Sequence, residues 1–169
     1  MYPGVTNPSD DGVYAWLTGR AKGGDFLVLT ADPEDTPCDL YNQYIYNLTH
    51  ASAVRPNSVS TVCFKDRAGA FDPRTASLLR NAAGVFITGG DQAKYFEYWR
   101  DSPVSRLLPT VPLLGGSSAG LAVQGEFVYD ALRGSVTSTE ALQRSSATPT
   151  PRESRTLNPQ PNPNPNPNP

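Results

Sequence analysis

Two glycine-rich segments of the 169-residue sequence have the residue types and spacing of a catalytic turn. The first, Gly116-Ser117-Ser118-Ala119-Gly120, is a G-x-S-x-G pattern between an apolar run and a helical pattern. A serine on a sharp strand-to-helix turn has a strained backbone that only small neighbours tolerate, hence the two glycines. The pattern predicts Ser118 as a nucleophile and the amide of Ala119 as a donor to a developing oxyanion. A tight turn that only packs a helix onto its strand would have the same residues.

The second segment, Gly89-Gly90-Asp91-Gln92, follows another apolar run. Two glycines at a strand end let the backbone approach a ligand, and an amide there could complete an oxyanion hole. An ordinary strand-to-helix turn with Asp91 as N-cap is an equally good interpretation of these four residues. The two segments are more informative together, because each would supply one hydrogen-bond donor.

A hydrolytic serine needs a general base, which is normally histidine. The only histidine is His50, which precedes Ser118 and follows a helical pattern. We read it as a solvated helix-end residue, favoured near the negative pole of its helix. The sequence contains no C-x-x-C pair, no H-E-x-x-H and no aspartate-rich loop. It therefore predicts neither a metal site nor a cofactor.

The elements around these segments alternate between strand and helix. Apolar runs predict strands at Phe26–Thr30, Val59–Phe64, Gly84–Thr88 and Val111–Gly115. Helical patterns cover Asp11–Lys22, Asp39–Thr49, Pro73–Ala82, Gln92–Arg100 and Ala119–Leu132. This alternation predicts an α/β fold with right-handed crossovers and a parallel sheet. Ligands of such sheets bind at the carboxyl ends of the strands, where both glycine segments fall.

Composition excludes several classes of protein. The net charge of -2 and the pI of about 5.3 provide no electrostatic footprint for nucleic acid or an anionic membrane. No apolar run reaches the roughly 18 residues of a transmembrane helix, and no secretory signal opens the chain, so the default expectation is cytoplasmic. Cys38 and Cys63 cannot form a disulfide framework, and whether they pair is left open.

The last 25 residues, 145–169, differ from the rest in composition. They hold 8 of the 17 prolines and end in an Asn-Pro repeat that has nothing to bury. Alternate prolines prevent both helix and sheet ladders, which predicts a disordered or polyproline-II-like tail. We therefore divide the chain into an α/β domain over 1–144 and a tail over 145–169. The abrupt change of composition is also typical of a mispredicted exon or read-through.

Several motifs, taken together, resemble the cyanophycinase-like serine peptidases of family S51. The likeness runs from about Asp11 to Gln143 in one register. The segments that carry it are Gly23–Val28, Tyr41–Ile45, Gly89–Gln92, Tyr95–Trp99, Gly115–Val123, Gly125–Phe127 and Ser135–Leu142. The resemblance implies a three-layer α/β sandwich with a mainly parallel sheet, like that of class I glutamine amidotransferases.

The resemblance also implies roles for individual residues. Ser118 matches the nucleophile, and Gly90 and Ala119 match the positions whose amides form the oxyanion hole. Gln92 matches a position that contacts substrate. The implied substrate is an acidic dipeptide or an aspartyl-arginine polymer, cleaved at β-aspartyl-arginine bonds, with no nucleic-acid or membrane partner. The oligomeric state is left open.

Two departures from the family shape our expectation for activity. The family's first strand has no counterpart in residues 1–10, and its histidine belongs to a segment whose place is taken here by the proline-rich tail. We therefore expect a truncated peptidase that is inactive as written. The alternatives are a non-catalytic peptide-binding protein of the same fold, a fragment without a stable product, and an α/β-hydrolase esterase. The esterase is disfavoured because no histidine follows Ser118.

Overall fold

The computed structural model describes residues 8–31, 38, 55–134 and 138–143. Within them, four strands form one parallel sheet in the order β2-β1-β3-β4. The strands are β1 (Asp25–Thr30), β2 (Ser58–Cys63), β3 (Ala82–Ile87) and β4 (Leu114–Gly116). Because all four run in the same direction, their carboxyl ends share one edge of the sheet. The predicted α/β fold with a parallel sheet is confirmed.

Helices connect the strands and cover the sheet. They are α1 (Pro8–Arg20), α2 (Pro73–Asn81), α3 (Gln92–Trp99), α4 (Pro103–Leu107), α5 (Ala119–Ala122) and α6 (Ser138–Gln143), with 3-10 turns at Ala68–Phe71 and Leu108–Thr110. The predicted caps are formed: Asp72 accepts a hydrogen bond from the Arg74 amide at 2.8 Å, and Asp91 accepts one from the Ala93 amide at 2.9 Å. Both close the start of a helix by accepting from otherwise unpaired amides.

The two inner strands, β1 and β3, bury both of their faces, as central parallel strands do. Leu27 and Leu29 of β1 point to the face covered by α2, α3, α4 and α5. Phe26 and Val28 alternate to the opposite face, where they pack with Leu17 of α1. The architecture is therefore the expected three-layer one, with α1 on one side of the sheet and α2, α3, α4 and α5 on its second side.

Two predicted elements are shorter in the structure than the sequence suggests. The helix predicted over Ala119–Leu132 stops at Ala122, because the chain then tightens into hydrogen bonds between residues three apart. The amides of Gln124 and Gly125 donate to the carbonyls of Leu121 and Ala122 at 3.2 and 3.4 Å. Of the apolar side chains that suggested a longer helix, Val123 and Val128 are buried, whereas Leu121 and Phe127 are exposed, Phe127 by 70%. The fourth strand, predicted from Val111, is also shorter and begins only at Leu114.

Several predictions lie outside the described residues. These are the helix over 39–49, His50, the boundary at 144 and the tail over 145–169. Among the helices that are described, none has the length and apolar character needed to cross a membrane.

The two cysteines, whose pairing the sequence leaves open, form a disulfide. Cys63 ends β2, and its Cα lies 5.9 Å from that of Cys38, within the range that disulfides span. The bond closes a loop with a sequence separation of 25 residues. It therefore ties the β1–β2 crossover to the carboxyl edge of the sheet.

Breaking this disulfide is expected to lower the free energy of unfolding by about 3.5 kcal/mol, the chain-entropy value for a loop of this length. Urea unfolding of the wild type with and without dithiothreitol measures this loss of stability. The Cys38→Ser/Cys63→Ser double variant should be as stable as the reduced protein, and dithiothreitol should not change its stability. Identical midpoints for the oxidised and reduced wild type would show that the bond does not form. Because lasting disulfides are rare in the reducing cytosol, the result also bears on the expected compartment.

Asp25 joins the amino ends of β1 and β2. Asn57 Nδ2 and Ser58 Oγ donate hydrogen bonds to Asp25 Oδ1 at 2.8 and 2.7 Å. The bond from Asn57, and then that from Ser58, lower the pKa of the Asp25 carboxyl below its ordinary value because both stabilise the charged form.

A lowered carboxyl pKa stabilises the fold at neutral pH, and this contribution disappears as the pH falls through the folded-state pKa. Asp25→Asn is therefore expected to melt below the wild type at pH 7 and to approach it as the pH is lowered towards about 3. The effect is small because the group is solvated. Thermal melts of both proteins across this range provide the test, and a Tm difference that grows on acidification would contradict it.

Candidate active site

The carboxyl ends of β3 and β4 bring the two glycine segments together. The strands pair from Val85 with Leu114 to Ile87 with Gly116, and the Ser117 amide donates to the Ile87 carbonyl at 3.1 Å. The chain after β3 therefore lies beside the chain after β4. Parallel strand ends are where α/β proteins place their ligands.

Ser118 has the strained backbone expected of a nucleophile on a sharp turn. Its φ of +50° and ψ of −122° lie where residues other than glycine are uncommon and cost of order 1–3 kcal/mol. Its side chain is solvent-exposed, and its carbonyl accepts from the Leu121 and Ala122 amides at 3.1 and 3.0 Å, which starts α5. A strained, exposed serine between a strand and a helix is the arrangement of a nucleophile elbow.

Glycines allow this elbow to form. A β-carbon at Gly120 would lie 2.2 Å from the Thr88 carbonyl oxygen and 2.3 Å from that of Ile87. One at Gly116 would lie 2.6 Å from the carbonyl oxygen of Gly120. Because the opposing atoms belong to the backbone, only residues without a side chain let α5 pack so closely on the end of β3. The glycines at both ends of the G-x-S-x-G pattern are thus required by packing.

Gly89 lies directly against the candidate nucleophile. A β-carbon at Gly89 would be 3.3 Å from the Cβ of Ser118 and 3.9 Å from its Oγ. The turn after β3 is therefore in contact with the turn after β4. The structure brings together the two segments that the sequence predicts to form one site.

The amides proposed for the oxyanion hole are not used within the described part of the chain. Neither the Gly90 nor the Ala119 N–H donates to another described residue, whereas Gly120 and the amides after it are paired. Gly90 has a φ of +145°, which favours glycine at this position. Both amides can therefore serve as donors, one from each turn.

Gln92, predicted to contact substrate, makes a contact that the sequence did not reveal. Its Nε2 donates to the carbonyl of Tyr129, which lies 37 residues further along the chain. The Tyr129 hydroxyl in turn donates to the Gly134 carbonyl. Gln92 therefore connects the start of α3 to the segment that follows α5, and no local signal could have shown this long-range pairing.

Sequence reasoning also missed a pair of hydroxyls beneath the Gly89-Gly90 turn. Thr88 and Tyr95 are both buried, with their oxygen atoms 3.0 Å apart. Both hydroxyls reach the Gly89 carbonyl oxygen, at 3.0 Å from Thr88 and 3.3 Å from Tyr95. In the sequence, Tyr95 is one of several aromatic residues, and nothing marks its hydroxyl as different from the others.

No described residue acts as a base for Ser118. Its Oγ has no hydrogen-bond partner among the residues placed by the structure, and His50 is not one of them. The same part of the chain has no group of three or more histidine, cysteine or acidic side chains that could hold a metal ion. What the site can offer chemically is an exposed, strained hydroxyl and two unpaired amides.

The fold is similar to that of solved peptidase structures. A peptidase from an acI-B1 actinobacterium matches 72% of this chain with a TM-score of 0.59 at 17% identity. A candidate peptidase E protein from Listeria monocytogenes EGD-e matches 87% of it with a TM-score of 0.53 at 13% identity. The chain spans about half (53%) of the actinobacterial peptidase and 68% of the Listeria protein. No family model and no curated protein matches it. The chain therefore shares its three-layer α/β fold with these peptidases.

Proposed function

We propose that the chain carries the nucleophile and oxyanion hole of a serine peptidase of the cyanophycinase-like type. The observation that carries this proposal is the backbone of Ser118, an exposed serine held at a φ of +50° between β4 and α5. Strain of this kind persists only where the surrounding structure enforces it, and it is concentrated at functional sites. The fold shared with solved peptidases supports the same reading.

In the proposed reaction, Ser118 Oγ attacks the carbonyl carbon of the scissile peptide bond. The carbonyl oxygen becomes an oxyanion that accepts hydrogen bonds from the Gly90 and Ala119 amides. The serine proton must pass to a base and then to the leaving amine, which departs as the acyl-enzyme forms. Because no described residue offers that base, we propose that the 169-residue chain does not turn over by itself.

The proposed substrate is an acidic peptide with a β-aspartyl-arginine bond. This choice of substrate rests on the motif resemblance. The position of Gln92 is compatible with contact to such a substrate, because Gln92 lies at the start of α3, two residues after Gly90. Its Nε2 is engaged by the Tyr129 carbonyl, so we propose that it orders the segment beside the site and offers its Oε1 to a substrate amide.

A fluorophosphonate that phosphonylates activated serines tests the proposed nucleophile. The wild type should remain unlabelled in buffer and become labelled when imidazole supplies the base that no described residue offers. Ser118→Ala should stay unlabelled in both conditions. Ser117→Ala provides the matched control, since Ser117 is the exposed neighbour with no side-chain hydrogen bond among the described residues. Labelling that survives in Ser118→Ala would refute the assignment.

A second candidate function is binding without catalysis. It is favoured by one observation, that Ser118 Oγ has no base as partner in the described part of the chain. A binding protein would take up a β-aspartyl-arginine dipeptide and would not be phosphonylated even with imidazole. Phosphonylation in the presence of imidazole separates this function from the proposed peptidase, and calorimetric titration with that dipeptide, beside the α-linked isomer as control, tests the binding itself.

A further inference from the structure

The peptide bond between Gly89 and Gly90 presents one face to the core and the other to the site. Its carbonyl oxygen accepts from Thr88 Oγ1 at 3.0 Å and from the Tyr95 hydroxyl at 3.3 Å. The two side chains are only 2% and 0% exposed, so these bonds form in the protein interior. The carbonyl of Gly89 is therefore directed inward.

The same peptide carries the N–H of Gly90. In a trans peptide, the C=O and the following N–H point in opposite directions, and none of the described peptide bonds is cis. Fixing the Gly89 oxygen in the core consequently turns the Gly90 N–H outward. Gly89 itself lies against the side chain of Ser118, so this N–H belongs to the residue directly after the one that contacts the candidate nucleophile.

The position of the Tyr95 hydroxyl is itself fixed. The Tyr95 ring packs edge-on against Trp99 at a centroid distance of 4.8 Å, and Trp99 packs in the same way against Phe64 at 5.2 Å. The single proton of the hydroxyl is shared between the Thr88 carbonyl at 2.8 Å and the Gly89 carbonyl at 3.3 Å. An aromatic ring locked by packing is a rigid support, which is what a preorganised donor requires.

We propose that Tyr95 and Thr88 are positioning residues for the oxyanion hole, which they orient by holding the Gly89 carbonyl. This inference rests on the proposed function for its catalytic meaning, but the orientation of the Gly90 amide can be measured without any reaction. The pair touches neither substrate nor the reacting atoms. It acts only through the direction of one N–H.

The first measurement is the NMR order parameter of the Gly90 amide. The wild type is expected near the rigid-backbone value of about 0.85, and Tyr95→Phe below about 0.6, because the variant loses a hydroxyl and keeps its ring packing. Tyr98→Phe, which removes the hydroxyl of a half-buried tyrosine in the same helix, should leave Gly90 rigid. Thr88→Val should loosen the amide, and Thr88→Ser, which keeps the hydroxyl, should restore it.

The second measurement is the rate of imidazole-assisted phosphonylation of Ser118. Removing an oxyanion donor costs about 100- to 1,000-fold, so misdirecting one should slow labelling by at least about tenfold in Tyr95→Phe and not in Tyr98→Phe. An unchanged Gly90 order parameter and labelling rate in Tyr95→Phe would overturn the inference. Equal loosening in Tyr98→Phe would also overturn it, because it would indicate general softening of α3. If the wild type is never labelled while Gly90 responds as expected, the proposed function fails and the positioning of the amide stands.

Discussion

The 169-residue chain is expected to hydrolyse a β-aspartyl-arginine dipeptide no faster than its Ser118→Ala variant. An elbow with no base among the residues that the structure describes is expected to keep only substrate binding and the oxyanion hole, and loss of one triad member can cost about a millionfold in turnover. The wild type should therefore remain at least about 1,000-fold below an ordinary turnover number of roughly 1 per second. Release of arginine, followed by chromatography, measures the rate.

Imidazole provides the positive arm of this experiment. If a base is all that Ser118 lacks, imidazole should raise hydrolysis by the wild type and by Ser117→Ala but not by Ser118→Ala. Unaided turnover near 1 per second that is lost in Ser118→Ala would contradict the account. It would assign the role of base to His50 or to another residue outside the described part of the chain.

Gly120→Ala is expected to destabilise the fold by about 3 kcal/mol, at the upper end for overpacked sites. Its β-carbon would lie 2.2 and 2.3 Å from the backbone oxygens of Thr88 and Ile87. Neither oxygen can move without disturbing the end of β3, so α5 must lift away from the sheet. The same displacement should remove imidazole-assisted labelling of Ser118.

Gly12→Ala is the matched control for this substitution. Gly12 lies inside α1, and a β-carbon there would meet nothing within 4 Å. Alanine is the better helix former, so this variant should gain about 0.5–1 kcal/mol. Urea unfolding of both variants tests the pair. A Gly120→Ala protein as stable as the wild type would show that α5 does not pack on β3 as described.

The two inner strands of the sheet could be predicted because each is a nearly continuous apolar run. Phe26–Thr30, for example, was expected from its composition and differs from the observed β1 by one residue. The end of α5 could not be predicted, because the apolar residues after Ala119 suggested a longer helix, yet Leu121 and Phe127 are both exposed. Periodicity reports which residues could share a face, but only tertiary contacts decide whether that face is covered.

The candidate site was predictable where its chemistry depends on local sequence. The G-x-S-x-G pattern located Ser118, because a strained turn needs small residues at fixed positions. The partners of Gln92 and Gly89 were not predictable, since the first reaches Tyr129 across 37 residues and the second depends on two buried hydroxyls. Such contacts arise from how the elements pack, and the residue types alone do not predict them.

The central claim is that Ser118 attacks while Gly90 and Ala119 hold the oxyanion. A crystal structure of the chain after imidazole-assisted phosphonylation tests it most directly. The adduct is expected on Ser118 Oγ, with its phosphoryl oxygen about 2.7–3.1 Å from both amide nitrogens. An adduct on another residue, or a phosphoryl oxygen turned to solvent and away from both amides, would contradict the account.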